Sequence, residues 1–230
     1  AWEQVSWDFA DGVGINLVAL QTAVTEVKRD DDAFMLAGYG ELVVEGSRAD
    51  FSVSAANYAW VNPNLIAVGQ TDRVISSART NEVIRNAVGS VVGFASGFNV
   101  IDVIAEATFQ TARSDYPVRI LVDFARNTRA FSDRNSGFWL EAGYGRPRAV
   151  HTWGATYTYG WIEQDVAPSA YVFSDMPGTN LRLHMIEASY IPKERLSFDV
   201  TLHLTKRLVV PNDTPNDLLA RLHVAIVARF

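Results

Sequence analysis

Cysteine is absent from the 230-residue sequence, which removes disulfides, thiolate metal sites and a cysteine nucleophile together. No apolar run of about 18 residues occurs, because Asp, Glu, Arg or Thr interrupts the longest ones every few positions; no helix is therefore expected to span a membrane. Basic runs are missing too. A net charge of -6 leaves no cationic surface for neutralising phosphates, so a general nucleic-acid binder is disfavoured. The opening stretch "AWEQVSWDF" has neither a basic n-region nor an apolar h-region and reads as a mature N-terminus or an internal cut.

What is present is ordinary folding material. Hydrophobic residues make up 48% and charged residues 20%, far from a disordered composition, and no shift divides the chain into unlike halves. One domain over residues 1–230 is expected.

The recurrent hydrophobic period is two. In "LSFDVTLHLT", Leu196, Phe198, Val200, Leu202 and Leu204 share one face, and Ser197, Asp199, Thr201, His203 and Thr205 the other. The last segment places Leu218, Ala220, Leu222, Val224, Ile226, Ala228 and Phe230 together, opposite Arg221, His223 and Arg229. Comparable stretches at 2–9, 13–26, 33–45, 48–60, 98–112, 116–128, 136–146, 149–163 and 180–192 bring the total to about eleven strands. Several run to about 10–15 residues, longer than the mode of about 5–6 in soluble sheets and long enough for tilted strands to cross a bilayer.

The links alternate in length. "GSR", "RSDYP", "RPR" and "PKER" are tight turns, whereas "KRDDD", residues 61–97, "RAFSDRNSG", "QDVAPSAYVFSDMPGTN" and "VVPNDTPND" are long and polar or Pro/Gly-bearing. Antiparallel strands send alternate links to opposite ends, so one end is trimmed and the other elaborate. Transmembrane barrels have this asymmetry, and soluble up-and-down barrels are compatible with it. For 74–97 three conformations stay open: an extracellular loop, a short helix folded into the pore, or an extra strand.

One face of "AVHTWGATYTYGWIE" carries Trp153, Ala155, Tyr157, Tyr159 and Trp161. Trp153 and Trp161 are separated by roughly 27 Å of strand, or about 20 Å vertically at a tilt of about 40°, so the indoles suit opposite interfacial girdles. An aromatic-rich core strand is the alternative. The second face repeatedly carries mid-strand charge, at Asp102, Glu106, Arg119, Asp123, Glu141, Asp199 and Arg221. Burying these in a dry core would cost several kcal/mol each unless all were paired, whereas a wet lumen, or the solvent face of a soluble sheet, accommodates them.

A final strand with Leu222, Val224, Ile226 and Ala228 in alternation and Phe230 last resembles the C-terminal signal of bacterial outer-membrane β-barrels. The phrases "NPNLIAVGQ", "YPVRILVDFARNTRAF", "SGFWLEAGYG", "HTWGATYTYGWIEQDV", "NLRLHMIEASYIPKERLSFDVTLHLTKRL" and "HVAIVARF" resemble the C-terminal portion of a porin family of Gram-negative bacteria, over about residues 55–230. The resemblance implies an all-β, antiparallel up-and-down transmembrane β-barrel in the outer membrane, monomeric or a homotrimer. It also implies the lipid bilayer and the barrel insertion machinery as partners, with no cofactor. Counted back from a periplasmic Phe230, eleven strands put the start outside the cell, which bacterial barrels avoid. Either a strand hides in 61–97, or N-terminal strands are lacking and the complete barrel has about 12–16.

The site residues expected on this reading line a pore: Asp102, Glu106, Arg119, Asp123, Glu141, Asp199, His203, Arg221 and His223, with Trp153, Tyr157, Tyr159, Trp161 and Phe230 at the lipid interface. Counting inward positions, Asp8, Asp50, Asp102, Glu106, Asp123, Glu141 and Asp199 exceed Arg48, Arg119, Arg182, Arg221 and Arg229, so mild cation selectivity follows. The competing readings are a soluble lipocalin-like barrel holding an apolar ligand and a structural barrel in a larger envelope complex. Enzymatic chemistry is not expected, because His151, His184, His203 and His223 are scattered singly and no G-x-S-x-G, HExxH or phosphate-loop motif occurs.

Overall fold

In the computed structural model of the chain, residues 1–25, 32–71, 80–172, 176, 178–210 and 215–228 are described. Eleven strands form one antiparallel sheet: β1 (Trp2–Ala10), β2 (Val13–Thr25), β3 (Ala33–Val44), β4 (Ala49–Val61), β7 (Asn99–Phe109), β8 (Val118–Asn127), β9 (Ser136–Tyr144), β10 (Trp153–Ile162), β11 (Leu181–Lys193), β12 (Leu196–Arg207) and β13 (Leu219–Ala228). Each pairs with its neighbours in the chain, so the sheet is an up-and-down meander. These are the eleven expected strands, displaced by a few residues at most ends. β1 and β13 are not hydrogen-bonded to one another, and the described sheet is open rather than closed into a barrel.

Among the described residues, the span between β4 and β7 supplies no further wall strand. It contains helix α1 (Pro63–Thr71) and a small separate hairpin of β5 (Val83–Arg85) and β6 (Val91–Phe94), while β4 pairs directly with β7. Pro63 suits the first helical position, where a backbone N–H has no intrahelical partner. Asp11-Gly12 makes the tight β1–β2 turn, with Gly12 at a φ of 77° that a side chain would resist.

Register fixes the faces. Tyr58, Trp60, Val100, Asp102, Asp123, Glu141, Thr158, Met185 and His203 fall on one face, and Val53, Val103, Val122, Tyr157, Ile186, Val200 and Val224 on the other. The infolded segments pack on the first, here called the capped face. Ile66 and Ala67 of α1 join Phe94, Phe98, Trp60, Val100 and Ala33 in one buried cluster. Val166, from the link between β10 and β11, joins Ile162, Leu181, Leu183 and Met185 in a second. On the opposite, open face the large apolar side chains stay uncovered strand after strand: Leu17, Leu36, Val53, Val103, Val122, Phe124, Ile186, Val200, Val224 and Ile226 are all exposed, Ile226 by 66%. That face is far larger than the roughly 300–600 Å² patch usual on a soluble monomer.

Candidate functional site

The described parts of three long links, those after β4, β8 and β10, meet at one end of the sheet and are laced together by buried side chains into a cap. Asn127, fully buried at the end of β8, accepts the Asn99 N–H at 3.0 Å and donates to the Gly97 and Asp165 carbonyls at 2.8 Å each. Asn81 donates to the Gln164 and Ala167 carbonyls at 2.7 and 2.9 Å and accepts the Ser169 N–H at 2.8 Å. Asp165, also fully buried, accepts the Glu82 N–H at 3.0 Å and the Ser96 and Ser132 hydroxyls at 2.9 and 3.2 Å. Satisfied buried polar networks of this kind fix geometry, because breaking one member strands the others.

Below the cap lies a cavity of about 620 Å³ between the infolded segments and the capped face. Tyr58, Trp60, Trp139 and Tyr171 line it, as do the carboxylates of Asp102, Asp123 and Glu141. Tyr58 and Tyr171 flank Trp60, with ring centroids 6.2 and 6.4 Å from it. Partial burial pushes the Tyr171 phenol above its ordinary value, so it stays a neutral hydroxyl at physiological pH.

Register brings the expected pore residues together. Asp102, Glu106, Arg119, Asp123, Glu141, Asp199, His203, Arg221 and His223 all project from the capped face. Arg119 is clamped between two strands: its Nε and Nη2 donate to Glu106 at 2.7 and 2.8 Å, and its Nη1 pairs with Glu141 on the other side. Asp199 accepts the Ser189 and Ser197 hydroxyls at 2.6 and 3.0 Å. The rings of His203 and His223 lie 5.3 Å apart. Glu41, bonded by Asn16 at 3.1 Å, and Glu187 occupy the same face and were not among the expected positions. Their strand parity was a sufficient signal.

Trp153, Tyr157, Tyr159 and Trp161 project from the open face. Trp153 clusters with Tyr144 and Tyr116 near the tight-turn end, and the Tyr157 hydroxyl meets His184 Nδ1 at 2.8 Å. Phe230 and Arg229 lie outside the described residues. Arg182 needs correction: it pairs with Trp161 and Lys206 on the open face, because its neighbours Leu181 and Leu183 turn inward to pack under the cap. Arg48 precedes β4 and is exposed.

Strand positions on the capped face carry Asp8, Glu41, Asp50, Asp102, Glu106, Asp123, Glu141, Glu187 and Asp199 against Arg119, Arg207 and Arg221. Among the described residues no group of three or more His, Asp or Glu is placed to hold a metal ion, and no helix is long and apolar enough to cross a membrane. No protein-family model, curated protein or solved structure matches the chain. The arrangement offers a field and a shape: a predominantly anionic face covered at one end by a hydrogen-bonded cap.

Proposed function

We propose that this chain forms the wall of a porin-type channel in a bacterial outer membrane, with the open face in lipid and the capped face around water. The observation that carries the proposal is the segregation itself. Every infolded segment and nearly every strand carboxylate lies on one face, while the apolar side chains of the other are left bare. An up-and-down meander curls into a barrel when its edges find partners, and tilted strands of about ten residues give about 25 Å of height, matching the apolar band of such barrels. A lipocalin-like reading requires the apolar face inside, around its ligand, and the placement of the cap on the polar face argues against it.

Function then follows from electrostatics and constriction. Carboxylates in excess along the lumen concentrate cations and repel anions, and the cap narrows one mouth. Arg119, already committed to Glu106 and Glu141, leaves that excess standing. The test is reconstitution in a planar bilayer under a salt gradient. Stable ion conductance with a cation-selective reversal potential supports the proposal; full recovery in the soluble fraction, with no insertion into bilayers, refutes it.

A further inference from the structure

The described wall of the cavity under the cap carries acidic side chains and no basic one. Asp102 and Asp123 lie diagonally across the β7–β8 pair and both line it, whereas among the described residues no Arg, Lys or His does. Arg119, on the same strand as Asp123, is already held by Glu106 and Glu141. Asp102 Oδ1 is shielded and accepts no hydrogen bond. Trp60, on the same cavity wall and only 5% exposed, has an Nε1–H without an acceptor. Two neighbouring acidic side chains held in a partly buried wall without a cation are costly to maintain, and a cationic ligand meets that deficit.

We infer that this cavity binds a small organic cation, its ammonium group on Asp102 and Asp123 and its apolar body among Tyr58, Trp60, Trp139 and Tyr171. The inference rests on the channel reading and names the solute class that the constriction selects. A volume of about 620 Å³ falls in the range of small-molecule sites, about 300–1,000 Å³, and far exceeds what a bare ion fills. Aromatic faces attract ammonium groups through the ring quadrupole and take up hydrocarbon at the same time. An anion is repelled by the acidic wall there, and a neutral solute gains nothing from its charge.

Calorimetric titration of the detergent-solubilised full chain with phenethylammonium, against its neutral isostere 2-phenylethanol, tests the inference without requiring conduction. Saturable binding of phenethylammonium at least tenfold tighter than of 2-phenylethanol is expected, falling at least tenfold in Asp102→Asn/Asp123→Asn. Equal affinity for the two probes, no saturable binding, or an unchanged affinity in the folded double variant overturns it. Should that variant not fold, the probe comparison on the unaltered chain still decides, and Tyr171→Leu, on a loop outside the wall, is expected to weaken phenethylammonium several-fold. Absent binding in a chain that conducts ions sinks this inference alone, whereas absent conductance sinks the channel reading.

Discussion

Replacing Arg119 by Gln removes the cation that joins β7, β8 and β9 through Glu106 and Glu141. The side chains of Arg119, Glu106 and Glu141 are 31%, 30% and 20% exposed, so the cluster is neither a surface pair worth about 0–1 kcal/mol nor a dry one whose disruption costs about 3–5 kcal/mol. Water reaches the stranded carboxylates and offsets part of the loss, which places the expected destabilisation at about 1–2 kcal/mol. With a urea dependence of about 1–3 kcal/mol per molar, the unfolding midpoint of protein refolded into lipid vesicles falls by roughly 0.5–1 M. The triple variant Glu106→Gln/Arg119→Gln/Glu141→Gln removes the repulsion along with the attraction and recovers most of that loss. An unchanged midpoint in Arg119→Gln, or a triple variant weaker than the single one, refutes the reasoning.

Two further outcomes follow from the same geometry. Asp165→Ala strands the Glu82 N–H and the Ser96 and Ser132 hydroxyls inside the cap, a loss of about 2–4 kcal/mol; hydrogen exchange of residues 80–97 and 163–172 is expected to rise while the strands stay protected. On β8, Val122→Lys puts a charge at the middle of the open face at a cost of about 2–4 kcal/mol in a bilayer, while Leu121→Lys, on the capped face, leaves insertion yield near that of the unaltered chain. Insertion into vesicles, scored by protease protection, checks the pair.

The strands were readable because their alternation is uninterrupted. In "LSFDVTLHLT" the apolar set lies on the open face, with Phe198 and Val200 exposed, and the polar set lies on the capped face, with His203 and Thr205 buried, as the alternation implies. Where the cap packs, that pattern inverts: Leu181, Leu183 and Met185 turn to the capped face because Val166 and Ala167 pack there, and this is why charge alone misplaced Arg182. Residues 61–97 showed no dominant period, and their placement depends on single long-range partners such as Asn64 with Phe94 and Asn81 with Gln164. Nothing local marks those asparagines as structural. The charged cluster was visible as residues on one face, but the clamping of Arg119 between two strands needed the register.

The central claim is that the open face meets hydrocarbon and the capped face meets water. Because the sequence has no cysteine, single cysteines at Val122, Asp123, Val200, Thr201, Val224 and His223 can each carry a spin label on protein reconstituted in vesicles. Labels at 122, 200 and 224 are predicted to be relaxed by oxygen dissolved in the lipid, and those at 123, 201 and 223 by a water-soluble nickel chelate. The reverse assignment, or chelate access at all six positions, contradicts the account.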